Sequence, residues 1–95
     1  MKTWTDLKAA FQRRGWIAAG PEWGTDALMS PHNAMAIGPV VEDAILRSKL
    51  RASLVQHVET MRGHVASGDD LSNPEGVIAD FEVAIELLAE TDGGA

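Results

Sequence analysis

The sequence predicts an all-α domain, a small helical bundle in which a short N-terminal helical layer packs on a long antiparallel helix hairpin. Three observations predict it. The 95 residues, 45% hydrophobic and 23% charged, suffice for one core and fall in the composition range of folded globular chains. Leu46, Leu50, Leu54, His57, Val58, Met61 and Val65 recur within about 120° of arc at the helical period. Helix start and stop signals also recur along the chain, at Thr3, Gly15, Pro31, Gly38-Pro39 and Asn73-Pro74.

The first helix is expected over 4–14. Thr3 and Asp6 form a start like a capping box, Trp4, Leu7 and Phe11 follow at helical spacing, and Arg13 and Arg14 complement the helix dipole. Gly15 suits the left-handed position past a helix end, which folds Trp16 back against Phe11 and into the core. Residues 17–24 read as a loop turning at Pro21 with Trp23 near its exit, and Thr25-Asp26 caps a single turn through Met29. Ser30-Pro31 starts a short helix over 31–37, ended by Gly38-Pro39. A brief strand at 16–19 or 34–37 is the competing reading.

The longest helix is expected over 39–62, about 36 Å at 1.5 Å per residue, against about 32 Å for the diameter of a compact domain this size. Such a helix projects or is paired. Besides its main stripe it carries Val41, Ile45, Ala52 and Val55 on another side, and one small domain rarely covers both sides of one helix. These four are the candidate self-association residues, and a homodimer is expected. The loop 63–73 reverses the chain. Asn73-Pro74 then begins a helix over 74–90, with Ser72 and Glu75 also spaced as a capping box and Val77, Ile78, Phe81, Ala84, Ile85 and Leu88 as its core stripe. Residues 91–95 read as a frayed tail.

Charge is unevenly placed. The net charge is −6 overall, yet residues 1–68 hold eight basic and six acidic side chains, whereas residues 69–95 hold eight acidic ones and no Lys or Arg. A field of this sign disfavours nucleic acid and anionic membrane as partners and favours a protein with a basic surface. Glu82, Glu86 and Glu90 recur at intervals of four on one helix face, flanked by Val83 and Leu87. With Trp23 as an exposed apolar anchor, these six are the candidate partner-binding residues. The absence of cysteine removes disulfides, zinc thiolates and thiol nucleophiles and fits a reducing compartment. No apolar run has the length of a membrane span and Met1–Asp6 lacks the pattern of a signal peptide, so a soluble cytoplasmic domain is expected.

No residue set reads as catalytic, and no metal or cofactor is expected. His57 and His64 are seven apart, about 10.5 Å along a helix, too far to chelate one ion. Ser53 and His57 have the reach of a nucleophile and base, but no carboxylate is placed to orient the histidine. Glu42 and Asp43 fit the dipole of a helix start, and Asp69-Asp70 matches no calcium-loop spacing. Residues 34–51 have a weak helix-turn-helix outline with Arg47, Lys49 and Arg51 on the second helix, but Glu42 and Asp43 stand where the groove would be met. The expectation is a non-enzymatic, acidic protein-binding regulator or inhibitor that docks on and occludes a basic surface, such as a phage or mobile-element inhibitor of a host nucleic-acid machine or an antitoxin-like partner. A homo-oligomeric assembly subunit and a helix-turn-helix transcriptional regulator are the rivals.

Overall fold

The computed structural model describes residues 3–90. It contains three α-helices, α1 (Trp4–Arg13), α2 (Ala44–Ala66) and α3 (Pro74–Glu90), and three short strands, β1 (Ile17–Ala18), β2 (Leu28–Met29) and β3 (Ala36–Ile37). The strands form one antiparallel sheet in the order β1-β2-β3, with Ile17 opposite Met29, Ala18 opposite Leu28, Leu28 opposite Ile37 and Met29 opposite Ala36. The sheet overturns the all-α expectation. The chain is a mostly helical fold in which α1 and a small sheet face a helix hairpin. Residues 91–95 lie outside the described residues.

α1 begins and ends as its sequence signals predict. The Thr3 hydroxyl accepts from the Asp6 N–H at 3.3 Å. At the other end Gly15, at φ +93°, lets its own N–H reach the Gln12 carbonyl (3.1 Å) and the Trp16 N–H reach the Phe11 carbonyl (3.2 Å), the paired bonds of a Schellman ending. Trp16 then packs edge-on against Phe11 with ring centroids 4.7 Å apart, and both are buried with Trp4 and Leu7.

The helix expected over 31–37 is instead the turn of a hairpin. Ser30 does not cap a helix. Its hydroxyl accepts from the N–H groups of Ala34 (2.8 Å) and Met35 (3.1 Å), its own N–H donates to the Met35 carbonyl, and Asn33 closes the turn at φ +56°. Pro31 presets a turn as readily as a helix start, and the seven residues between Ser30 and Gly38 are too few to sustain a helix without help. The single turn expected at Thr25–Met29 is replaced in the same way: Asp26 takes φ +62° and sends Leu28 and Met29 into β2.

The long helix starts later and runs further than 39–62. Residues Pro39–Glu42 form a 3-10 turn, Asp43 is extended at ψ 117°, and its carboxylate accepts from the N–H groups of Ile45 (2.9 Å) and Leu46 (3.0 Å). Asp43 is thus the N-cap that starts α2. Arg47, 2% exposed, reaches back to donate to the carbonyls of Val41 (2.7 Å) and Glu42 (3.2 Å), which holds the turn on the helix. α2 passes through Gly63 and stops at Gly68, whose φ of +80° allows the Asp69 N–H to reach the His64 carbonyl at 3.0 Å.

α2 and α3 pack antiparallel. Leu54 and Val58 of α2 and Phe81, Ala84, Leu87 and Leu88 of α3 join Trp4, Leu7, Phe11, Trp16, Leu28, Ile37 and Val41 in one core. The ends of the α2 stripe overhang this core, leaving Leu46 and Val65 exposed. Backbone N–H groups of the N-terminal half fasten it to the hairpin and its entry turn: the buried Asp80 of α3 accepts from the His32 N–H at 2.9 Å, and Glu42 accepts from the Trp4 N–H at 2.6 Å. Among the described residues no helix is long and apolar enough to cross a membrane.

Candidate protein-binding surface

Open grooves lie on the surface of the described residues, and Glu82 and Glu86 of the α3 acidic row border one of them. This groove, about 360 Å³, runs between α2 and α3 and is lined by Val55, Val58, Glu59 and Arg62 from α2 and by Glu82, Ile85 and Glu86 from α3. Its floor is aliphatic and its rims are charged, because the core stripe of each helix grades into a polar flank at helical spacing. Three carboxylates against one guanidinium leave the lining net negative. Arg62 pairs with Glu82 across the groove, and Arg14 approaches Glu86 from the end of α1 at 3.5 Å. Both pairs are solvent-exposed, worth about 0–1 kcal/mol each, so a partner's cation can replace either arginine at little cost.

No protein-family model, curated protein or solved structure matches this chain. What the surface can do therefore rests on its own geometry.

The second groove, about 370 Å³, lies beside β3 and is lined by uncharged residues, among them Trp23, Ala27, Ile37, Pro39 and Val40. Trp23 is 55% exposed and Val40 60% exposed. Trp23 reaches solvent because Pro21–Trp23 is a 3-10 turn closed by the Trp23 N–H on the Gly20 carbonyl, at the tip of the β1-β2 connection.

The residues expected at a partner interface are thus spread over several settings. Glu82 and Glu86 stand on the rim of the α2–α3 groove and Trp23 on the other groove. Leu87 is buried and Val83 half-buried, both packed in or against the chain's own core. The side chain of Glu90 lies outside the described residues. Of the four expected at a self-association strip, Val41 is buried in the core, Ile45 is 69% exposed, Ala52 is exposed, and Val55 belongs to the α2–α3 groove. Asp43, which separates the 3-10 turn from α2, swings Val41 away from the side that Ile45 occupies.

His32, His57, His64, Arg47 and Arg51 each make contacts within the chain. His57 lies edge-on to Phe81, centroids 5.8 Å apart, and His64 pairs with Asp69 at 2.6 Å across the end of α2. His32 places Nδ1 2.9 Å from the buried carboxylate of Asp80, a contact between residues 48 positions apart that no local pattern announces. Arg51 donates to the Ile85 carbonyl at 3.2 Å, so it and Arg47 bind backbone oxygens rather than a common exposed face. With a hairpin turn in place of the helix at 31–37, the helix-turn-helix outline is not formed. Among the described residues no group of three or more His, Asp or Glu side chains could hold a metal ion.

Among the described residues, the Asp26 carboxyl has a clearly displaced pKa. The Lys8 ammonium hydrogen-bonded to Asp26 holds that carboxyl below its ordinary value of 3.8, against the opposing effect of desolvation and with help from the Trp4 indole N–H. The group clamps α1 to the start of β2 and lies outside both grooves.

Proposed function

We propose that this chain is a non-enzymatic protein-binding regulator or inhibitor that seats a basic surface of a macromolecular partner against the α2–α3 groove and acts by occlusion in the cytoplasm. The observation that carries the reading is the set of glutamates, Glu59, Glu82 and Glu86, around an aliphatic floor of Val55, Val58 and Ile85. Apolar area supplies affinity there, and the negative rim steers a basic partner and selects its orientation. Trp23, with Val40 beside it, supplies a second apolar contact, and tryptophan is a residue type enriched at interface centres. A partner that handles nucleic acid, such as a host enzyme blocked by a phage or mobile element, presents a basic surface of this kind.

Affinity capture from the native cytoplasm, followed by mass spectrometry, tests the reading with wild type and with the E82K/E86K variant, checked to unfold at the same temperature. A single basic protein retained by wild type and lost with the variant is the expected result. Equal retention by both would overturn it. Recovery of the chain alone, with light scattering at twice the monomer mass, would favour a homodimer, for which the exposed Ile45 and Ala52 on α2 are the available contacts.

A further inference from the structure

The walls of the α2–α3 groove repeat with a helical period. Val55, Val58, Glu59 and Arg62 stand at i, i+3, i+4 and i+7 on α2, and Glu82, Ile85 and Glu86 at i, i+3 and i+4 on α3, so each wall is one face of a helix. Two antiparallel helices with such faces side by side form the surface that a third helix fills when ridges pack into grooves, about 8–10 Å from each axis. The stretch from Val55 to Arg62 covers two turns, about 10.5 Å.

We infer that this groove docks an amphipathic helix of the partner, apolar at i, i+3 or i+4, and i+7 along the seam, with Lys or Arg on its flanks. The inference rests on the regulator reading above and adds the form and chemistry of the element bound. Backbone chemistry selects the helix. The groove walls are helices whose N–H and C=O groups are already bonded within each helix, so they offer no edge for an extended segment to pair with, and the occupant must satisfy its own backbone. Charge selects the partner. The same face of a second copy would set Glu59, Glu82 and Glu86 against their own counterparts, and a second copy's α1, though basic at Lys8 and Arg13, has Trp4, Leu7 and Phe11 buried in its own core. A basic flank instead meets Glu59 on one wall and Glu86 on the other.

Selection of displayed random peptides of about 16 residues, four helical turns, on the whole chain tests this. The expected enriched set has apolar residues at helical spacing and several Lys or Arg. A synthetic member gains helical circular dichroism on binding, loses binding when proline replaces its central residue, and binds an E59K/E86K variant about tenfold or more weakly. Enrichment of extended, proline-containing or acidic peptides, no enrichment at all, or equal binding to E59K/E86K would overturn the inference. Capture of a native partner through the glutamates by way of a loop or strand would also overturn it while leaving the regulator reading intact. A helix-selective groove with no native partner captured would support the inference and sink that reading.

Discussion

Asp26 shows how one side chain can hold two segments and a backbone turn together. Its carboxylate accepts from Lys8 and from the Trp4 indole, 2.9 Å away, while its backbone takes φ +62°. Asparagine tolerates that left-handed conformation as well as aspartate does, so Asp26→Asn removes the charge with little backbone strain. The folded pKa lies below the unfolded one, so the carboxylate contributes stability fully above its ordinary value of 3.8 and loses it as the pH falls through the lowered folded value. Wild type should therefore be more stable than D26N at pH 7, with the gap closing toward pH 2. Urea unfolding across that range would show it, and a gap independent of pH would contradict the assignment. At this scale legibility tracked sequence distance. Thr3 with Asp6, and Gly15 with Trp16, are local pairs that could be read directly, whereas Trp4 with Asp26 and His32 with Asp80 meet only through the fold.

The long helices announced themselves more clearly than the strands, although the short helix expected over 31–37 is not formed. α3 coincides with its expected span and α1 differs by one residue, because caps and core positions repeat over several turns. Each strand is two residues long, too short for alternation to rise above the noise of Ala, Ile, Leu and Met, which suit a helix as well. The hairpin was legible only as a competing strand at 16–19 or 34–37, and β2 was hidden by a turn signal. Two helical glycines separate propensity from packing. A methyl group at Gly63 would meet nothing within 4 Å, whereas at Gly76 it would press on Asn73 Nδ2 at 2.5 Å and His32 Cδ2 at 2.7 Å. Gly63→Ala should stabilise the chain by about 0.5–1 kcal/mol, and Gly76→Ala should destabilise it by about 1–3 kcal/mol through overpacking. Thermal unfolding of the two variants distinguishes them by the sign of the shift.

For the whole molecule, the acidic row of the candidate site could be read from Glu82 and Glu86 at an interval of four, but the groove could not. Its other wall comes from Val55, Val58, Glu59 and Arg62, more than 20 positions away from Glu82 in most cases, and only antiparallel packing brings the two faces together. The charge asymmetry was likewise visible without its compensation. Arg62 and Arg14 reach α3 from the basic portion of the chain, so part of the acidic surplus is answered internally and the surface left to a partner is more local than the composition suggests.

The ties from Trp4 to Glu42 and from His32 to Asp80 span 38 and 48 positions, whereas α2 and α3 are joined by the short loop 67–73. That difference sets an order of events during folding. Closing a short loop costs less entropy than closing a long one, so the hairpin assembles early and the small sheet settles onto it late. Leu54→Ala, in the hairpin seam, should then slow refolding with a φ-value of about 0.5–0.8, while Leu28→Ala, in β2, should chiefly speed unfolding with a φ-value of about 0–0.3. Stopped-flow chevrons with the reverse pattern would contradict this order. In the refolding full-length chain the groove's two walls would already stand side by side while the turn bearing Trp23 was still seeking its place.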